Sequence, residues 1–337
     1  MASRSKVLLV GSGGVGTMVA YALEYSGKAE VTSVLRSDYD KVVKDGFTID
    51  SCDYGHIECF RTTNIAKSVS DACENHGPFE YVVLVTKCVP DVTNMVEIIA
   101  PAVTEESTVV LIQNGIGIET GFKQKFPGHT ILSGVSMIGS ANRGAQISHE
   151  VSDFVKIGVF YNPTLPKEKQ DAVCKKFIDI YDNDKIECTF DEDVKFSRWR
   201  KLVYNSCINP VSALVDLDVG RIELFGGDGG LIEQLMNEIL AIAKSDGVDL
   251  PEDVIEFMIR SDDPNYYKPS MQVDVEKGNY LEIEVIIGNP LRIAKKNGVS
   301  TPALSVIYEL LKLVQCRIKE QKGLIVVPKE RPVPTSA

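Results

Sequence analysis

The rhythm of apolar and polar positions changes once along this chain. Over the first half, short continuous apolar runs alternate with segments whose apolar residues recur at helical spacing; beyond residue 191 helical spacing takes over almost entirely. Val7-Leu8-Leu9-Val10 is the first run, and Val15, Val19, Ala22 and Leu23 follow it on one helical face. Residues 30–35, 80–85 and 108–112 read as further strands, the last two apolar enough to be buried on both faces. Residues 47–50 and 57–60 read as short strands around a turn, 155–160 as an antiparallel strand and 186–190 as the last strand, while 92–99 and 168–181 read as helices. The intervening stretch from 130 is rich in Ser, Gly and Val in alternating patches. Helices are then expected over 194–213, 228–245, 253–260, 275–296 and 303–320. Gly247 and Gly298 stand where C-caps fall, and Thr301-Pro302 suits a helix start.

The first apolar run ends in Gly11-Ser12-Gly13-Gly14-Val15-Gly16, a G-x-G-x-x-G spacing between strand and helix. In that context Gly11 makes the turn, Gly13 admits a pyrophosphate to the backbone, and Gly16 lets helix and strand pack closely, with the helix N-terminus facing the anion. A glycine-rich turn without a ligand shares the spacing; its position between strand and helix favours a dinucleotide. The fold expected is α/β: an N-terminal Rossmann-type dinucleotide-binding domain over 1–191, a C-terminal all-α helical domain over 192–323, and an extended tail over 324–337, where prolines interrupt apolar residues. The length of 337 residues suits two domains better than one core.

The second strand sharpens the cofactor. A carboxylate about 20 residues beyond the glycines binds the ribose hydroxyls of NAD and repels a 2′-phosphate. Here the strand ends in Arg36-Ser37, a cation and a hydroxyl, which favours NADPH. Lys87, Asn114 and Gly115 stand at the carboxyl ends of other strands, on the edge where open parallel sheets bind ligands.

Composition removes some classes. The net charge of −11 makes general binding to nucleic acid or to an anionic membrane a poor expectation, although local Lys and Arg residues can still receive a small anion. Eight scattered cysteines without a C-x-x-C pair, and four scattered histidines, argue against a disulfide framework and against a metal site. No apolar run approaches the roughly 18 residues of a membrane span, and no signal peptide is read before the first strand, so the expected location is the cytoplasm.

The remaining chemistry lies in the helical half. Lys201, Asn205 and Asn209 recur at i, i+4 and i+8, on one face of the helix expected over 194–213, among Leu202, Val203, Cys207, Ile208 and Val211. A buried lysine beside two amides is costly without a partner or a task, whereas the same stripe on a solvated face needs neither. Pro210 marks a kink in that helix. Glu282 is embedded in an apolar run, where a carboxylate is either paired or functional, and Lys201 is the partner expected for it.

Taken in order, G-S-G-G-V-G (11–16), L-R-S (35–37), V-T-K (85–87), Q-N-G-I-G (113–117), R-K-L-V-Y-N-S-C-I-N-P (200–210) and K-P-S-M (268–271), with Glu282 following, resemble the ketopantoate reductases (2-dehydropantoate 2-reductases). K-x-x-x-N-x-x-x-N-P is the specific part. Pro290 and the residues around 70–78 depart from the family pattern. The resemblance implies a general acid at Lys201 and an active-site glutamate at Glu282, which also borders the cofactor. It implies substrate contacts at Asn205, Asn209, Ser270 and Asn114, the last also near the nicotinamide. Cofactor contacts would fall at Gly11, Ser12, Gly13, Gly14, Val15, Gly16, Arg36 and Lys87. The activity implied is reduction of a small keto substrate by NADPH, ketopantoate to pantoate, in a monomer or homodimer. Two alternatives stay open: another 2-keto acid, ketolactone or diketone as substrate, and a non-catalytic NADPH-binding sensor. The Tyr-x-x-x-Lys from Tyr308 to Lys312 lies too near the C-terminus for a short-chain reductase, and neither His129 nor His149 has the setting of a lactate-type dehydrogenase.

Overall fold

The computed structural model describes residues 4–331. The chain forms two compact units, Met1–Arg198 and Trp199–Ala337. The division falls inside a helix, seven residues beyond the boundary the apolar pattern suggests.

The first unit is built on an eight-stranded sheet ordered β12-β11-β8-β7-β6-β1-β2-β5. Its strands are β1 (Ser5–Val10), β2 (Ala29–Val34), β5 (Asn64–Ala66), β6 (Tyr81–Leu84), β7 (Thr108–Leu111), β8 (Ile131–Ser136), β11 (Phe154–Val159) and β12 (Glu187–Asp191). All neighbours are parallel except β8 and β11, as the apolar pattern at 155–160 predicts. Val7, Leu8 and Leu9 of β1 and all of β6 are fully buried, so the continuous apolar runs are the central strands. The helices of this unit are α1 (Gly14–Tyr25), α2 (Tyr39–Asp45), α3 (Val69–His76), α4 (Met95–Ile99), α5 (Thr120–Lys125) and α6 (Lys167–Tyr181). The helix expected over 92–99 begins only at Met95, because the Asn94 side chain accepts from the Glu97 amide and caps it there.

A second sheet, ordered β4-β3-β10-β9, joins β3 (Phe47–Ser51) and β4 (Gly55–Phe60) to β9 (Gly139–Arg143) and β10 (Gln146–Val151). The hairpin at 47–60 was expected; its parallel partner β10, about a hundred residues away, was not. A buried polar network ties this sheet to α6. Tyr181 Oη donates to Asp153 Oδ2 at 2.5 Å, and the Asp153 amide donates to Asp53 Oδ2 at 3.0 Å. Burial pushes the Asp153 carboxyl above its ordinary range, while the Tyr181 hydroxyl and His149 pull it down. A carboxyl raised in the native state binds more protons there than in the unfolded chain, so this group's contribution falls as pH rises. Tyr181→Phe removes a donor to the charged form and raises that carboxyl further. It is expected to cost roughly 1–3 kcal/mol at pH 7 and less at pH 5, read from urea midpoints at the two pH values; an equal loss at both would contradict the coupling.

The second unit is helical. Helix α7 (Val194–Asn205) bridges the division, and α8 (Ile208–Val215), α9 (Val219–Leu224), α10 (Glu233–Ser245), α11 (Val254–Ile259), α12 (Ser270–Glu276), α13 (Asn289–Asn297) and α14 (Pro302–Gln321) follow. The single helix expected over 194–213 is two helices. Pro210 has no amide proton to give the Ser206 carbonyl, and the helix breaks at Ser206-Cys207. The helix expected over 275–296 is likewise divided: α12 ends before Gly278 (φ 64°), and a π-helical turn, Glu284–Gly288, precedes α13. Buried Glu238 accepts from the amides of Ala303 and Leu304 at 3.0 and 2.8 Å, closing the start of α14. Residues 324–331 form neither helix nor strand, and 332–337 of the expected tail lie outside the described residues. No helix among the described residues is long and apolar enough to cross a membrane.

Candidate functional site

In the first unit the glycine turn has the tight geometry its spacing predicts. Gly11 has φ 114°, and a Cβ there would stand 2.6 Å from the Thr86 amide nitrogen. A Cβ on Gly16 would stand 1.7 Å from the Gly11 carbonyl oxygen, so helix and strand approach in a way only glycine permits. Gly13 differs: a Cβ there meets nothing within 4 Å. No side chain caps α1, and its first turn carries no acidic residue. Open space above Gly13, uncapped amides and the helix dipole together fit a pyrophosphate. Ser12 Oγ donates to the Val34 carbonyl at 3.3 Å, joining the turn to the end of β2, where Arg36 is exposed. Val15 is half-buried and Gly14 is buried beneath Ser140 and Ala141 of β9.

The ends of β6 and β7 are tied together by Gln113, whose Nε2 donates to the Thr86 carbonyl at 2.8 Å. Lys87 is exposed and Asn114 half-buried on these same strand ends. Arg198 holds the second of them. It is 4% exposed, and it donates to the carbonyls of Gln113 at 3.0 Å and Gly115 at 2.8 Å and to Ser133 Oγ at 2.9 Å. Burial pushes its pKa down to about 10, which leaves it a cation at neutral pH. Positive φ at Gly115 (91°) and Gly117 (70°) lets the loop turn its carbonyls toward that guanidinium.

In the second unit Lys201 is half-buried on α7, while Asn205 and Asn209 are buried. The i, i+4, i+8 stripe is not one face of one helix, because the break at Ser206-Cys207 puts Asn209 on α8. Asn209 Nδ2 meets Ser270 Oγ at 3.5 Å, the long end of a hydrogen bond, and Ser270 opens α12 at an exposed position. Asn209 Oδ1 is buried without a hydrogen-bond partner. Glu282 is 4% exposed and sits just before the π-helical turn, its carbonyl accepting from the Ile286 amide at 3.1 Å. Ser206 Oγ donates to the Ile286 carbonyl at 2.7 Å, fastening the α7–α8 junction beside Asn205 to the segment that follows Glu282. Gln315 holds the other side, bonding both the amide and the carbonyl of Leu281. The structure thus gathers Asn205, Asn209, Ser270 and the Glu282 segment within one helical unit.

Two features escape the spacing of residues. Asn142 of β9 donates to the Ser12 carbonyl at 2.8 Å, reaching the glycine turn from 130 residues away. The Cys52 thiol, the Asp53 carboxylate and the His149 imidazole bring ligand atoms within 4.8 Å of one another. Both imidazole nitrogens already face partners, Ser51 Oγ at 2.8 Å and the Val151 carbonyl at 2.9 Å, so a metal would have to displace one of them.

Comparison with known proteins agrees with this architecture. The family profile described as ketopantoate reductase PanE/ApbA matches residues 7–162, and the one described as its C-terminal domain matches 193–315. An uncharacterized protein of Saccharomyces cerevisiae is 40% identical, covering 95% of this chain and 96% of its own. The crystal structure of 2-dehydropantoate 2-reductase from Methylococcus capsulatus is 31% identical with a TM-score of 0.79, covering 93% of this chain and 97% of its own. A D-mandelate dehydrogenase in ternary complex with NADH and anilino(oxo)acetate is similar in fold, with a TM-score of 0.81 at 22% identity, covering 93% of this chain and 99% of its own. With both halves matched in order, the chain belongs to the ketopantoate reductase family.

Proposed function

We propose that this protein reduces ketopantoate to pantoate with NADPH. The observation that carries the reading is the polar group built into the apolar helical unit: buried Asn205, Asn209 and Glu282 with half-buried Lys201, the residues for which the resemblance implies the family's lysine, asparagines and glutamate. Polar side chains in such a place cost stability unless they serve a ligand or one another. The glycine turn, its uncapped helix and exposed Arg36 support binding of a phosphorylated dinucleotide.

When bound, the cofactor supplies a hydride to the ketone carbon. The chain's residues do the rest. Negative charge develops on the ketone oxygen, and the Lys201 ammonium stabilises it and delivers a proton to that oxygen, giving the alcohol. Glu282 supports the ammonium or accepts from a substrate hydroxyl. Asn205, Asn209 and Ser270 orient the substrate with neutral donors and acceptors, and Asn114 does so from the strand-end loop, as Lys87 supports the cofactor.

Initial rates with ketopantoate, other 2-keto acids, ketolactones and diketones, each with NADPH and with NADH, test the assignment. The expected result is highest kcat/KM for ketopantoate with NADPH. A higher value for another ketone moves the substrate and keeps the reaction; tight NADPH binding without turnover on any of them would make the protein a sensor.

A further inference from the structure

Two residues beyond Arg36, between the end of β2 and the start of α2, the chain carries a carboxylate, Asp38. A carboxylate near this strand end repels a 2′-phosphate or pairs with the arginine meant for it. Yet no hydrogen bond or ion pair engages the Arg36 guanidinium among the described residues. Both oxygens of Asp38 are occupied elsewhere. Asn142 Nδ2 donates to Asp38 Oδ2 at 2.9 Å, and Ser37 Oγ donates to Asp38 Oδ1 at 3.3 Å.

Asn142 is held in turn. Its Oδ1 accepts from the Ala145 amide at 2.9 Å, across a hairpin whose Gly144 and Ala145 both have positive φ. Its Nδ2 also donates to the Ser12 carbonyl at 2.8 Å. One amide therefore fixes three things: the hairpin of the second sheet, the glycine turn and the Asp38 carboxylate. Only a side chain with a donor and an acceptor of this length can make all of these bonds.

We infer that Asn142 is a specificity-determining residue: it fastens Asp38 away from Arg36, so that the guanidinium stays available to the 2′-phosphate of the dinucleotide. Asn142 touches neither substrate nor reacting atoms; it acts through Asp38 and Arg36 as a positioning residue. The inference rests on the NADPH reading above. Without Asn142, Asp38 turns toward Arg36 and competes with the 2′-phosphate for it. NADH, which lacks that phosphate, is indifferent to the exchange.

The test measures Kd for NADPH and for NADH by cofactor fluorescence in wild type, N142A, N142S, D38N and the N142A/D38N pair. Asn142→Ala is expected to weaken NADPH roughly fivefold, the scale of one exposed ion pair, with NADH nearly unchanged. Adding Asp38→Asn should restore NADPH binding, whereas Asp38→Asn alone changes it little. If Asn142→Ala does not fold, Asn142→Ser reads the same ratio. Equal weakening of both cofactors, or no rescue by Asp38→Asn, overturns the inference and leaves Asn142 as a brace for the glycine turn. A wild type without preference for NADPH overturns the cofactor reading itself, before any variant is compared.

Discussion

Lys201→Ala is expected to lower kcat for ketone reduction by roughly 10²–10⁴-fold, the usual worth of a positioned general acid, while leaving the Kd for NADPH close to wild type. The separation follows from where the residue lies. Lys201 is on α7 within the helical unit, whereas the glycine turn, Arg36 and the uncapped start of α1 all belong to the sheet unit. In the proposed mechanism its removal takes charge and a proton from the ketone oxygen and nothing from the pyrophosphate. Lys201→Arg separates the two contributions. An arginine keeps the positive charge but holds its proton too tightly to give it up, so turnover should recover only in part. Single-turnover kinetics with cofactor fluorescence measure both quantities, and unchanged turnover in Lys201→Ala would remove the residue from the mechanism.

Arg198→Ala is expected to cost about 3 kcal/mol or more of stability, since buried acceptors stripped of a partner cost about 1–3 kcal/mol each. The guanidinium serves the carbonyls of Gln113 and Gly115 together with Ser133 Oγ. A lysine presents one point charge instead of a planar fork, so Arg198→Lys should recover less than half of the loss. The loop at the end of β7 loses its anchor as well, and NADPH binding should weaken along with stability. Urea unfolding of the three proteins measures the first effect and cofactor fluorescence the second. Wild-type stability in Arg198→Ala would mean that water replaces the side chain without penalty.

What could be read from residue order alone was whatever depends on near neighbours. The glycine turn was legible because strand, turn and helix follow within a few residues, and its tight contacts at Gly11 and Gly16 agree with that reading. Central strands β1, β6 and β7 were legible because burial on both faces leaves continuous apolar runs. The pairing of β3 with β10 was not, because it joins segments about a hundred residues apart whose alternation alone names no partner. Pro210 announced a kink, but not that the helix would break two turns' worth of polar stripe into separate helices. Gly278 gives no clear stop in the sequence, since one glycine weakens a helix without forbidding it. Of the candidate site, the residue types were legible; Asn142 was not, because its partners Ser12, Asp38 and Ala145 come from three different loops.

The anchoring of the β7 loop by a residue at position 198 has a consequence for synthesis. Every strand of the large sheet is free to pair once Asp191 has emerged from the ribosome. At that moment the loop after β7 still carries carbonyls with no donor, because Arg198 has not left the ribosome. The sheet unit can therefore pair its strands on the growing chain but settles the rim at the end of β7 only after the first turn of α7 has emerged. A fragment ended at the last strand would stop short of its own keystone, and one ended after Arg198 would include it.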